Sequence, residues 1–282
     1  MAQRVNNEEE QRRLSHEALW RRFDAMELRL TAAVSERMLE LANLAPGMRV
    51  LDLATGRGEP AIRAAHCVGE TGHVLGIDLS EELLDMARAR AAAEGLSNVE
   101  LRAANAEKLE SLPPGSFDAV TARWGLMYMT DPVLALTGAR WALSPAGALV
   151  AAFHAEPERV AFYSLPARLL ARVHDVPAVE YGVPGMFRYA NLESIEADFA
   201  KAGLAVDHVE EIETVVFEST EDEDLLAWIR ALGKQPFGLA DLSEAKQRSW
   251  EAELLAETRP ARPGEPRRLG GVTRIIRARP GG

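Results

Sequence analysis

The sequence predicts an α/β protein: a doubly wound, mainly parallel seven-stranded sheet with helices on both faces and helical additions. Three observations lead there. Short apolar runs alternate with helical stretches through short connections. The runs are too continuously apolar to leave one face wet, as expected of parallel strands buried on both sides. A glycine-bearing turn joins the first run directly to a helix, and an acidic residue closes the second run. At 282 residues, 47% hydrophobic and 27% charged, the chain has an ordinary globular composition and room for one large domain with additions.

Taken in order, residues 1–45 read as wholly helical. Leu19, Phe23, Met26, Leu30, Val34, Met38 and Leu41 recur every three or four residues, which lines one helical face. This segment is expected to be a helical lid, and residues 46–282 the main domain. Strands are expected at 49–53, 73–78, 98–102, 118–122 and 147–153. Helices are expected from Ser80 to Glu94, ended by Gly95, and from Asp131-Pro132 to Leu143. Residues 154–191 break the rhythm with aromatics and prolines, and read as a helical cap inserted after strand five. A helix near 191–201, a sixth strand near 206–217 and a last strand at 272–278 complete the chain. The acidic run at 221–224 behind Ser219-Thr220 reads as a helix cap and acidic first turn, in preference to a metal site.

Composition narrows the function. The formal net charge of −11 argues against a nucleic-acid partner, which calls for a basic face. The arginines of EELLDMARARAAAE mix with glutamates and read as solvated helix surface. No run of about 18 apolar residues is present to cross a bilayer, and MAQRVNNEEEQRR lacks the apolar core of a signal peptide. The single cysteine, Cys67, leaves no disulfide framework and no cysteine-rich metal site, so no metal is expected. A cytoplasmic protein with a small-molecule substrate and no membrane insertion is expected, with a homodimer allowed for.

The most informative segment is VLDLATGRGE, residues 50–59. Gly56 and Gly58 let a ligand approach the backbone closely and tolerate positive φ. Asp78 ends the next strand, 22 residues beyond Gly56. In a doubly wound sheet these strand ends are neighbours, and a carboxylate there can accept from both ribose hydroxyls of a nucleoside. A dinucleotide prefers G-x-G-x-x-G, whereas Ala54 and Glu59 occupy the first and third glycine positions. Glu59 at the helix start is also expected to repel a pyrophosphate. No G-K-[ST] follows, which removes a P-loop. A nucleoside bearing a sulfonium and no phosphate tolerates Asp52 and Glu59 nearby, so S-adenosylmethionine is the favoured cofactor.

The segments VLDLATGRGEPAI, GHVLGIDLSEELLDMARARA, NAEKL, FDAVTARWGLMYMTDPVLAL and LSPAGALV follow one another in an order that resembles class I S-adenosylmethionine-dependent methyltransferases. They look most like the small-molecule branch of quinone-biosynthesis, sugar and antibiotic methyltransferases, over residues 46–153. The resemblance implies a Rossmann-like fold and a place in secondary metabolism. It implies that Asp52 lies near the methionine amino group or orders the loop. Ala54, Thr55, Gly56 and Gly58 would cradle the methionine and ribose, Ala54 standing where the family usually has glycine. Asp78 would hold the ribose and Leu79 the adenine face. Asn105-Ala106 stands where Asp-Ala is common at the adenine edge, the Asn105 oxygen accepting from the exocyclic amine. Arg123 would lie near the methionine carboxylate.

Methyl transfer from a sulfonium is an in-line displacement, so holding the acceptor behind the methyl is the main task. An oxygen acceptor also loses a proton, which makes a base useful. O-methylation is favoured over N or C. Trp124, Tyr128, Phe162, Tyr163, Tyr181 and Tyr189 are candidates for an apolar acceptor pocket. His154, directly after strand five, is the best-placed candidate base, and His174 in the insertion is the second. Two alternatives share the same cradle: a non-methylating cyclisation or rearrangement, and a non-catalytic interaction module.

Overall fold

Strands β1 (Arg49–Leu53), β2 (His73–Asp78), β3 (Val99–Ala103), β4 (Phe117–Arg123), β5 (Leu143–His154), β6 (Leu204–Ser219) and β7 (Arg267–Pro280) build one sheet. Their order is β3-β2-β1-β4-β5-β7-β6. Strands β3 to β5 run parallel, and β7 pairs antiparallel with β5. The helices are α1 (Ala2–Leu41), α2 (Ala61–Val68), α3 (Glu81–Ala93), α4 (Pro132–Ala142), α5 (Ala161–Leu170), α6 (Leu192–Lys201), α7 (Asp222–Leu232) and α8 (Glu244–Glu257). This computed structural model describes residues 2–176, 178–232 and 242–281, without the side chains of residues 2–21 and Ala231. Leu19 belongs to that set, so this prediction lies outside the described side chains.

Side-chain alternation explains why the central strands are apolar throughout. Leu51, Leu53, Val120, Ala122, Leu149 and Ala151 point to one face, packed with Ala135, Leu136 and Ala139 of α4 and Ile195 and Phe199 of α6. Val50, Ala119, Val150 and Ala152 point to the other, packed with α2 and with Val34, Met38 and Leu41 of α1. The starts of α3, α4 and α6 carry polar caps that satisfy first-turn N–H groups. Ser80 accepts from Leu83, Asp131 from Val133 and Leu134, and Asn191 from Ser194.

The chain divides into two compact units. The larger holds Ala32–Glu156, Glu180–Glu213 and the residues from Val272 onward. The other holds residues up to Thr31, Pro157–Val179 and Thr214–Gly271. These limits differ from the expected lid at 1–45 and cap at 154–191. Residues 32–41 of α1 are a structural part of the sheet unit, because they cover one of its faces and Arg37 grips Glu210 with two bonds of 2.6 and 2.8 Å. The last part of the expected cap also belongs there. Buried Arg274 of β7 bonds the Ala190 carbonyl, Glu211 and Glu156, joining that segment to β6 and to the loop after β5.

The smaller unit has an aromatic core of its own. Phe162 and Trp228 meet edge to face at 6.0 Å, and Phe217 lies 5.1 Å from Trp228. Trp250 of α8 is buried and donates its indole N–H to the Pro166 carbonyl of α5. The acidic start of α7 is the expected cap: Ser219 accepts from Glu221 N–H and donates to Asp224, while Arg267 holds Asp222. Among the described residues no helix is long and apolar enough to cross a membrane.

Candidate functional site

The turn after β1 and the end of β2 lie together at the carboxyl edge of the sheet, where open α/β sheets bind ligands. Ala54, Gly56 and Gly58 all take positive φ, at 53°, 53° and 90°. Gly56 has open space where a Cβ would stand, and its N–H donates to Asp78 Oδ2 at 2.8 Å. Asp78 Oδ1 accepts from Ser80 N–H at 2.9 Å. Each carboxylate oxygen keeps a lone pair for a further donor. Leu79 beside it is 76% exposed, an unusual position for a large apolar side chain at a polar turn. A carboxylate, an open backbone turn and a bare apolar side chain together suit the hydroxyls and flat ring of a nucleoside.

Ala54, the departure from glycine, is accommodated by a second glycine. A Cβ built at Gly125, just beyond β4, would stand 2.5 Å from the Ala54 methyl. Ala54 therefore fits because position 125 has no side chain. Nothing local in the sequence signals this pair, since 71 positions separate them.

Behind the turn lies a buried polar row. Asp52 pairs in register with Thr121 on β4 and Gly76 on β2. Asp52 Oδ1 accepts from the Thr121 hydroxyl at 2.6 Å. The Thr55 hydroxyl fills the space over Gly76, 3.0 Å from where a Cβ would be. Among the described residues, Asp52 Oδ2, Thr55 Oγ1 and Trp124 Nε1 are buried side-chain atoms without a hydrogen-bond partner. Burial pushes the Asp52 carboxyl up to about 7, against the opposing pull of Thr121, Thr55 and Arg123. Arg123 closes β4, donates to Ser35 of α1 at 3.2 Å, and sits 5.0 Å from the Trp124 ring.

Glu59 requires a correction. Its carboxylate is buried and bonded to Arg63 and Arg90, both at 3.1 Å. Two guanidinium groups offset much of its charge, which weakens the repulsion of a pyrophosphate expected from the sequence. Discrimination against dinucleotides then falls to the missing glycines. Arg90 also donates to the Arg57 carbonyl, so it fastens the turn to α3. The α3 arginines are not merely solvated surface, since Arg88 reaches the Leu101 carbonyl as well.

The remaining sequence-predicted residues separate by unit. Asn105 Oδ1 accepts from Glu107 N–H at 2.9 Å, and Ala106 is buried beside it. Trp124 is partly buried, at φ 55°, and stacks on His154 at 5.3 Å. His154 is buried, and burial lowers its pKa to about 4, making it a weak proton acceptor near neutrality. Tyr128 and Tyr181 are 53% and 54% exposed. Gly185 N–H bonds Met127 O, which holds the segment following Tyr181 against the turn carrying Tyr128. Tyr189 is a core residue, with its ring 5.0 Å from Phe153 and its hydroxyl donating to Asp198. Phe162 and Tyr163 are buried in the smaller unit, which also carries His174. The site thus gathers the Asp52–Gly58 turn, Asp78, Leu79, Arg123, Trp124 and His154 in one unit. Gly125, Thr121, Arg63 and Arg90 are its members that sequence reasoning missed.

Comparison with known proteins agrees with this geometry. The family model described as a methyltransferase domain matches residues 44–205. The ubiquinone/menaquinone biosynthesis C-methyltransferase UbiE of Shewanella sp. (strain ANA-3) is 30% identical over 176 residues, 59% of this chain and 70% of that protein. A SAM-dependent methyltransferase of known structure from Aquifex aeolicus superposes with a TM-score of 0.53 at 22% identity, covering 70% of this chain and 92% of its own. The [4+2]-cyclase SpnF shares the fold at a TM-score of 0.54 and 20% identity, covering 89% of this chain and 81% of its own. The matched stretch includes the glycine turn, Asp78 and the ends of β4 and β5, and the chain belongs to the S-adenosylmethionine-dependent methyltransferases of class I.

Proposed function

We propose that this methyltransferase acts on a small, apolar, ring-bearing metabolite with a hydroxyl group, the hydroxyl oxygen being the first choice of acceptor. The observation that carries this reading is the pairing of a nucleoside cradle with solvent-facing Tyr128 and Tyr181 in the same unit. Exposed rings held by backbone bonds offer a flat apolar contact, while the buried Tyr189, Phe162 and Tyr163 serve their cores. The UbiE relative is a C-methyltransferase of quinone biosynthesis, which supports a ring acceptor and brings carbon into consideration. Ionising a ring hydroxyl makes both its oxygen and the adjacent ring carbon more nucleophilic.

S-adenosylmethionine supplies a methyl group already activated on a sulfonium. Asp78 would receive the ribose hydroxyls and Leu79 the adenine face, with Asn105 and Ala106 at its edge. Ala54, Thr55, Gly56 and Gly58 would line the ribose and methionine, with Arg123 toward the methionine carboxylate and Asp52 behind the turn. Catalysis then rests mainly on holding the acceptor in line, since proximity and orientation supply most of what this displacement needs. His154 stays neutral through the physiological range, and its depressed basicity suits it to supporting Trp124 better than to taking the acceptor proton. His174 is the remaining imidazole candidate. Residues outside the matched 44–205 stretch are the natural place for further acceptor selection.

The test is a panel of hydroxylated ring compounds, their O-blocked ethers and aliphatic alcohols, with product structures determined by NMR. Methylation confined to the free hydroxylated rings is expected. Carbon-methylated products from the free hydroxylated rings would replace oxygen by carbon, and conversion of aliphatic alcohols alone would overturn the ring reading.

A further inference from the structure

We propose that Asp52 holds its proton in a large share of the cofactor-free protein near neutral pH, and that it loses that proton when the sulfonium nucleoside binds. The protein would then prefer S-adenosylmethionine over S-adenosylhomocysteine more strongly at alkaline than at acid pH. The inference rests on the cofactor and on no assumption about the acceptor.

The geometry of Asp52 is that of a carboxyl kept short of partners. Its side chain is fully buried between β1, β2 and β4. One oxygen has the Thr121 hydroxyl at 2.6 Å, and the other has no hydrogen-bond partner. An ionised carboxylate in such a place ordinarily collects several donors. The neighbouring Thr55 hydroxyl has no other partner, and its pull on Asp52 is too weak to offset the burial. The charged groups that face Asp52 oppose one another. Arg123 favours ionisation, and Glu59 disfavours it despite its own bonds to Arg63 and Arg90. The carboxyl pushed up to about 7 is therefore poised, and one added cation nearby decides its state.

The two nucleosides differ in that cation. S-adenosylmethionine carries a sulfonium in addition to its ammonium and carboxylate, whereas S-adenosylhomocysteine has a neutral thioether. A buried negative charge attracts the first and gains much less from the second. Once the methyl has left, the attraction weakens, which favours product release. The proton balance is simple: where Asp52 holds its proton, that proton passes to buffer as the sulfonium form binds, and a proton is taken back once the sulfonium has become a thioether.

Calorimetric titration of the whole protein with S-adenosylmethionine, in two buffers of different ionisation enthalpy, measures this proton directly. Near pH 7, release of about half a proton is expected for a group that titrates at about that pH. The ratio of the S-adenosylhomocysteine Kd to the S-adenosylmethionine Kd should rise on the order of tenfold from acid to alkaline pH, the scale of one partly screened charge–charge interaction. Asp52→Asn keeps an acceptor for Thr121 and cannot ionise, so it should abolish both effects. Thr121→Val removes the bond that favours the anion, so it should move the midpoint of the ratio to higher pH. A wild-type enthalpy independent of buffer, or proton release that persists in Asp52→Asn, would overturn the proposal. Failure to bind either nucleoside at any pH would overturn the cofactor assignment and this inference with it.

Discussion

Gly125→Ala is the change whose consequence follows most directly from the coordinates. At φ −100° and ψ −46° position 125 has backbone angles that alanine adopts without strain. On that ground alone the substitution would stabilise by about 0.4–1 kcal/mol through the unfolded chain. The new methyl, however, would lie 2.5 Å from the Ala54 methyl, about 1.3 Å inside an ordinary carbon–carbon contact of roughly 3.8 Å. Overpacking of this kind costs about 1–3 kcal/mol. The strain falls on the turn that supports Gly56, so cofactor binding should weaken as well. Ala54→Gly removes the obstructing methyl. The next atoms are Leu53 O at 3.5 Å and the residue-54 Cα at 3.7 Å, both ordinary contacts. By itself Ala54→Gly should change stability by less than about 1 kcal/mol, because relief of the left-handed alanine offsets the flexibility of glycine. The double variant should then return to wild-type stability or above, a coupling of about 2 kcal/mol. Chemical denaturation of the four proteins of the cycle, with S-adenosylhomocysteine titrations alongside, supplies the numbers. Additive effects, with the double variant as unstable as Gly125→Ala, would refute the explanation of Ala54.

Three further outcomes are expected. Asp78→Asn should weaken S-adenosylhomocysteine binding by about tenfold or more, since charge-assisted bonds contribute roughly 1.5–3 kcal/mol; unchanged calorimetric affinity would remove Asp78 from the ribose. Asn105→Asp retains an acceptor for Glu107 N–H and adds a second oxygen, so affinity should hold or improve, and a tenfold loss would place the adenine elsewhere. His154→Ala should slow methyl transfer by less than about threefold with cofactor affinity intact, because burial has lowered its basicity; a loss of about a hundredfold would restore it as general base.

The parallel sheet was legible because buried strands and capped helices write themselves locally, in apolar runs and in Ser80, Asp131 and Asn191. The β1 turn and Asp78 were legible for a similar reason: two glycines and one carboxylate at strand ends are short-range signals. Glu59 was misread because its compensating Arg63 and Arg90 lie on two different helices, and Arg90 looks like any surface arginine in sequence. Thr121 hides within an apolar strand, and only the register against Asp52 gives it a purpose. The aromatic candidates divided for a geometric reason: Tyr189 and Phe162 were grouped with Tyr128 as apolar rings following strands four and five, but ring burial depends on packing partners such as Phe153 and Trp228. The expected lid limit at residue 45 differs from the unit boundary after Thr31, since a continuous helix such as α1 carries no mark there in sequence.

Transfer of a labelled methyl group tests the central claim most directly. Purified protein is incubated with methyl-labelled S-adenosylmethionine and a hydroxylated ring acceptor, and both products are quantified by mass spectrometry. One labelled acceptor for each S-adenosylhomocysteine formed is the predicted result, with formation of both depending on the acceptor. An acceptor converted to an unlabelled isomer, with S-adenosylmethionine left intact, would contradict methyl transfer and establish a cyclisation or rearrangement in its place.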